Sequence, residues 1–189
     1  MQKTAITVFG VLVVIFFAQQ PIASASVQQG RALLFNSGHP TYSGIIAANA
    51  EFTSALAAAP DDPEANLFCA VTQLLAFAME NGSSGGMDTG LDLLESFGIQ
   101  RSDNDIVSQG APYNPPPELF DKYDPPPTVP SGEQVRSFLA DPLTALIDDS
   151  VAKLNLVPAN FTTLLTAAET GEITDIEVDH GDVLLLKST

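Results

Sequence analysis

Residues 41–79, TYSGIIAANAEFTSALAAAPDDPEANLFCAVTQLLAFAM, decide the fold. In the first half of this stretch, apolar residues from Ile45 to Phe52 recur at intervals of three and four, which gives one apolar stripe on a helix. Pro60 ends that helix. The pair Asp62-Pro63 starts the next one, because Asp caps the first amides and proline suits the first helical position. The stretch therefore predicts two helices joined by a tight turn.

On either side of this stretch, the sequence predicts further helices and a long connector. Short helices are expected over residues 28–36 and 91–97, the second after a flexible Asn/Gly/Ser loop. Eight of the 14 prolines lie in residues 112–130, and a Tyr-(Asn/Asp)-Pro-Pro-Pro motif occurs at 113–117 and 123–127. This composition predicts extended polyproline II. The segment is either a ligand for aromatic-lined recognition grooves or, as we favour, a stiff strap across the helices.

The last part of the chain returns to a helical pattern. Ser131 begins an S-x-x-Q sequence with the spacing of a capping box, and a break in the following helix is expected before Pro142. A short helix is expected over residues 160–168. The alternation of apolar and acidic residues in ITDIEV, 173–178, predicts a short strand. The apolar run 183–186 resembles the first turn of another helix.

Together these patterns predict a mostly α-helical protein with an extended proline-rich connector and one short C-terminal strand. Four regions follow from them: a signal peptide over 1–25, a helical region over 26–81, a connector region over 82–131 and a C-terminal helical region over 132–189. The connector region holds the Gly/Ser loop, a short helix and the proline-rich segment.

The charge of the chain excludes two classes of partner. Seven Lys and Arg residues oppose 23 Asp and Glu residues, so the formal charge is 7 − 23 = −16. Nucleic acids and anionic membrane surfaces are bound through clustered basic residues, and no two basic residues are adjacent here. We therefore expect any protein or peptide partner to be neutral, basic or cationic.

The first 25 residues have the pattern of a secretory signal peptide. Lys3 supplies the positive charge, residues 5–18 form the apolar part, and Ala23-Ser24-Ala25 is a small-residue cleavage site. We therefore expect export to the periplasm or the extracellular space, with a mature chain beginning at Ser26. An uncleaved N-terminal anchor is the alternative. Cys69, in an apolar helical run, is expected to be a buried and inert thiol.

The central stretch resembles the tetratricopeptide repeat (TPR) family over about residues 28–80. The pattern of a small residue, an aromatic residue, Ala and Pro in the second helix of the repeat is matched by Ala48, Phe52, Ala55 and Pro60. Ala70 matches the small residue of a following repeat. The resemblance implies antiparallel helix pairs that approach closely through small side chains.

A second resemblance lies near the end of the sequence. Residues 177–184, EVDHGDVL, are similar to a segment of uncharacterised exported bacterial proteins in which a long helix follows. This similarity implies that the chain is a truncated member of such a group, with its function carried by the missing part.

The sequence predicts an interaction module rather than an enzyme. It contains no G-x-S-x-G motif, phosphate-binding loop or dinucleotide fingerprint, so we expect no catalytic residues and no cofactor. Helix-hairpin packing without such residues is typical of scaffolds that bind proteins. The polar residues Asn66 and Gln73 of the second central helix are therefore candidates for binding a protein or peptide.

An alternative function rests on the densest group of potential ligands, which consists of Glu177, Asp179, His180 and Asp182. Carboxylates beside a turn can hold Ca²⁺, which would suit a secreted, metal-dependent carbohydrate-binding or hydrolytic protein. However, the EF-hand pattern and the zinc-site spacings are absent. We therefore expect these residues to form a solvated acidic edge that binds no metal. A third hypothesis is that the chain is a fragment of a longer protein.

Overall fold

The computed structural model describes residues 24–36, 40–82, 86–99 and 129–188. Of these residues 68% are helical, and a small two-stranded antiparallel sheet completes the secondary structure. The expectation of a mostly α-helical protein with a little strand is therefore confirmed. Residues 1–23 of the expected signal peptide and most of the proline-rich connector lie outside the described residues.

Helices make up most of the secondary structure of the described residues, and two short strands lie near its end. In order they are α1 (24–34), α2 (Tyr42–Ala58), α3 (Pro63–Met79), α4 (Gly90–Ser96), α5 (Gly132–Phe138), a π-helical turn (Leu139–Leu143), α6 (Thr144–Asn155), β1 (Thr162–Leu165), α7 (Ala167–Thr170), β2 (Ile176–Asp179) and α8 (His180–Ser188). No helix of the described ranges has both the length and the apolar character needed to cross a membrane.

Helices α2 and α3 form the hairpin that the central stretch predicts. The hydroxyl of Thr41 caps α2 by accepting a hydrogen bond from the amide of Gly44, and the carboxylate of Asp62 caps α3 by accepting one from Ala65. Pro63 occupies the first position of α3, as expected. Local capping signals thus place both helix starts.

The hairpin is antiparallel, because its cross-contacts join later residues of α2 to earlier residues of α3. Asn49 donates to Thr72 at 3.0 Å. Further along α2, the ring of Phe52 stacks on Phe68 with centroids 5.2 Å apart. Ala48 and Ala55, which lie on either side of these contacts along α2, are fully buried, so small side chains let the helices approach.

Helix α1 packs against α2 at a glycine. A Cβ atom added to Gly30 would lie 2.6 Å from the ring of Phe52, closer than real Cβ atoms approach. Phe52 itself is fully buried. The contact between the two helices therefore depends on the absence of a side chain at residue 30.

The opposite face of α3 packs against the C-terminal region. The amide of Gln73 donates to the hydroxyl of Ser150 in α6 at 2.6 Å. A second apolar cluster joins α3 to α6, to the turn before β1 and to α8, and it consists of Leu67, Ala70, Leu154, Val157, Phe161 and Val183. Helix α3 contacts α2 on one side and α6 on the other, so α3 is the central helix of the fold.

Arg31 connects α1 to residues distant in the sequence. Its guanidinium contacts Glu64 of α3 at 2.5 Å and both carboxylate oxygens of Glu169, at 2.8 and 3.0 Å. It also donates to the backbone carbonyl of Leu164 in β1 at 2.6 Å. One side chain, 14% exposed, thus joins α1, α3 and the C-terminal hairpin, by which we mean residues 162–179.

The helix expected over residues 160–168 is wrong. Thr162–Leu165 forms β1, and Thr166 then caps the four-residue helix α7. The spacing of the apolar residues there fits the period of a helix and also that of a strand. Pairing with β2 decides for the strand: Thr162 lies opposite Asp179, and Leu165 lies opposite Ile176. The strand expected over 173–178 is present, but it spans Ile176–Asp179.

Two other expectations for the C-terminal region agree with the structure. The break before Pro142 takes the form of a π-helical turn between α5 and α6. Proline cannot donate to the carbonyl four residues earlier, so the turn widens around it. The run 183–186 is helical as expected, within α8.

Candidate functional site

A groove of about 580 Å³ lies between the segment that precedes α4 and the α5–α6 segment. Its volume is within the range of small ligand sites. Side chains from both segments line it, among them Met87, Asp88, Glu133, Phe138, Asp141 and Pro142. We call this feature the groove.

The carboxylate of Asp92 holds the first wall of the groove in place. It accepts hydrogen bonds from the backbone amides of Gly82, Asp88 and Thr89 at 2.9–3.1 Å, and it completes a capping box with Thr89 at the start of α4. Burial alone would raise the pKa of Asp92, but the hydrogen bonds from Gly82 and Thr89 outweigh it and lower that pKa. The carboxylate therefore fixes the backbone beside Met87.

The second wall is placed by an aromatic contact and a helix cap. Ser131 and Gln134 form the capping box expected from the sequence and start α5. Phe138, at the end of α5, is 4% exposed, and its ring stacks on Phe77 of α3 with centroids 5.8 Å apart. The groove is therefore attached to the central helix of the fold.

The π-helical turn shapes the floor of the groove. Pro142 lies inside the turn, and the hydroxyl of Thr144 donates to the carbonyl of Leu139 at 2.7 Å. Single π-helical turns of this kind are frequent at functional sites. Met87 and Pro142 are both partly exposed, and they give the floor an apolar surface beside the buried ring of Phe138.

Acidic side chains mark the rim of the groove. Asp88, Glu133 and Asp141 contribute carboxylates, and no Lys or Arg is among the lining residues that the structure describes. Arg136 pairs with Glu133 at 2.5 Å, but both side chains are 73% exposed, so water screens the pair. The groove therefore combines an apolar floor with a negative rim.

The structure places Asn66 and Gln73 in internal contacts, outside the groove. Asn66 is 1% exposed, and its amide group donates to the carbonyls of Pro60 and Asp62, at 2.8 and 2.9 Å. Gln73 donates to Ser150. The bonds of Asn66 stabilise the turn between α2 and α3, and the bond of Gln73 joins α3 to α6. We therefore do not propose these two residues as binding residues.

The acidic group near the start of α8 also makes internal contacts. The carboxylate of Asp179 accepts from the amides of Gly181 and Asp182, and that of Asp182 accepts from the amide of Asp179. This is a reciprocal cap at the start of the helix. Glu177 accepts from the hydroxyl of Thr162 at 3.0 Å.

Ligand geometry for a metal is not formed by this group. His180 begins α8, and its Nδ1 atom is buried with no hydrogen-bond partner in the described part of the chain. No three His, Cys, Asp or Glu side chains converge as metal ligands anywhere in the ranges that the structure describes.

Cys69 is 2% exposed, and its sulfur lies 3.7 Å from the hydroxyl of Thr53. Burial raises the pKa of this thiol. A thiol with little thiolate and little access to solvent is a poor nucleophile.

Sequence reasoning missed the groove residues Met87, Phe138 and Asp141. An apolar spacing describes the face of one helix, whereas the groove needs two segments that lie more than 40 residues apart along the chain. A signal was present in Pro142, because a proline inside an apolar helical pattern marks a distortion.

Comparisons with protein-family models, with curated proteins and with solved structures give no match to this chain.

Proposed function

We propose that this chain is a non-enzymatic interaction module that binds a protein or peptide partner in the groove. The groove itself is the observation that carries the proposal. It combines an apolar floor with polar groups at the rim, which is the usual composition of a recognition site, and it is attached to the central helix through Phe138.

TPR-like helix packing is part of the same proposal. Ala48, Ala55 and Ala70 are fully buried, and the ring of Phe52 fills the space between α1, α2 and α3. These are the small and aromatic positions on which the resemblance rests. In such folds, layered helix pairs act as rigid supports for binding surfaces, which is the role we give to the hairpin here.

Export is also a proposal, and it rests on residues 1–25. The positive charge at Lys3, the apolar residues that follow and the Ala23-Ser24-Ala25 site support it. Cell fractionation and N-terminal sequencing test it directly. We expect a chain that begins at Ser26 in the periplasmic or extracellular fraction, and an intact chain in the cytoplasm would contradict the proposal.

We do not propose a metal-dependent carbohydrate-binding or hydrolytic function. The carboxylates of Asp179 and Asp182 already serve as caps for α8. No three potential metal ligands converge in the described part of the chain.

Photocrosslinking in a living culture, with cells and medium analysed together, tests the interaction role. A photoreactive amino acid in place of Ser137, which is exposed and lines the groove, is expected to form a discrete covalent adduct with another protein. The matched control carries it in place of Ala152, which is exposed on α6 outside the groove. No adduct from residue 137, or the same adducts from both positions, would contradict the proposal.

A further inference from the structure

The charged side chains among the described residues that line the groove are all negative. Three of its lining side chains are carboxylates, Asp88, Glu133 and Asp141. They do not converge as metal ligands, since no such group exists among the described residues. Their charge is therefore distributed along the rim, which suits an extended cationic partner better than a single metal ion.

The rest of the chain reinforces this charge. The formal charge of −16 gives an attractive field for cations and repels acidic partners. Asp141 is exposed at the π-helical turn, beside the apolar surface of Phe138 and Pro142. A positive group bound there would lie close to an apolar surface, where water screens a charge pair less than it does on an open surface.

From these observations we infer that the groove binds a basic segment of another protein, which presents a Lys or Arg side chain next to an apolar residue. The cation pairs with Asp141 on the rim, and the apolar residue packs on the partly exposed Met87 and Pro142. This inference rests on the proposed function and adds the chemical class of its partner.

Fluorescence anisotropy with synthetic peptides tests the inference on the purified chain. The probe is a labelled peptide of alternating Lys and Leu, and the matched probe carries Glu in place of every Lys. Binding is measured at about 0.1 M and about 1 M salt, between which the Debye length falls from about 10 to about 3 Å. We expect saturable binding of the Lys peptide only, weakened at high salt.

Two variants locate the binding site. Asp141→Asn removes a carboxylate from the groove, whereas Asp148→Asn removes one from an exposed position of α6 outside the groove. We expect the first variant to weaken binding about threefold, as for one partly exposed ion pair. The second should leave the dissociation constant unchanged, although it changes the net charge equally.

The outcomes separate this inference from the proposed function. Equal binding of the Lys and Glu peptides would overturn the basic partner while the groove remained an interaction site. Equal effects of the two substitutions would overturn the groove as the place where a basic segment binds. If neither peptide binds but residue 137 still crosslinks to a protein, the partner class is wrong and the proposed function stands. Failure of both experiments overturns both.

Discussion

Replacing Arg31 with Met tests whether α1, α3 and the C-terminal hairpin unfold as one unit. The substitution keeps an apolar stem of similar length but removes the guanidinium. Glu64 and Glu169 then lose their cation, and the carbonyl of Leu164 loses a donor. Because a single side chain holds three parts of the fold, its loss should lower the stability of the whole molecule.

The expected cost follows from the exposure of these groups. The carboxylates keep 27% and 30% of their side-chain exposure, so water partly compensates the lost partner. Breaking a fully buried ion pair costs roughly 3–5 kcal/mol of the free energy of unfolding. For Arg31→Met we therefore expect a smaller loss, of about 2–3 kcal/mol. For a chain of this size, that lowers Tm by about 4–12 °C.

Thermal unfolding followed by far-ultraviolet circular dichroism measures this effect. The control is Arg136→Met, which loses an ion pair whose two side chains are 73% exposed. Such a pair contributes at most about 0.5 kcal/mol, so Tm should hardly change. Equal shifts for the two variants, or two separate transitions in the wild-type chain, would refute the reasoning.

Three further predictions concern packing, pH and thiol access. Gly30→Ala should destabilise the chain by about 1–3 kcal/mol in urea, because the new methyl meets the ring of Phe52. The matched Gly132→Ala, which has open space around it, should be neutral or stabilising, and equal destabilisation would contradict the packing. Burial would raise the pKa of Glu169, but hydrogen bonds from the Thr166 amide and Arg31 outweigh it and lower that pKa. Ionised Glu169 therefore contributes to the free energy of unfolding at neutral pH, and this contribution is lost as the pH falls below about 4. The difference in free energy of unfolding between wild type and Glu169→Gln should shrink from pH 7 to about pH 3. A constant difference would argue against this role of Glu169. Cys69 should react with a thiol reagent much more slowly in the folded chain than in urea, and equal rates would show that its burial is wrong.

The α2–α3 hairpin was accessible from the sequence because its signals are local. Pro60, Asp62 and Pro63 fix the turn through chemistry within one helical turn of each residue. The apolar stripe also has a single period over many residues, so it points to one secondary structure.

The C-terminal hairpin was not accessible in the same way. Phe161 and Leu165 are spaced as on a helix face, yet they also fit the inward face of a strand, and both are buried. Only pairing with β2 distinguishes the two possibilities. Strand pairing is a contact between distant residues, and a local pattern does not contain it.

The groove could not be predicted from the sequence for a related reason. Asn66 was chosen as a polar residue on a helix, but the carbonyls of Pro60 and Asp62 hold it inside the turn. The groove needs the π-helical turn beside the segment before α4, and nothing in either segment alone predicts the other.

Methionine-methyl NMR tests the central claim, that the groove is the binding site, most directly. The sequence contains three methionines. Met87 lines the groove, whereas Met79 is 6% exposed in the core and serves as an internal control. On titration with the Lys peptide, we predict that the Met87 signal moves with the same concentration dependence as the anisotropy, while the Met79 signal stays in place. A titration that moves both signals equally, or that leaves Met87 unchanged while the peptide binds, would contradict the claim.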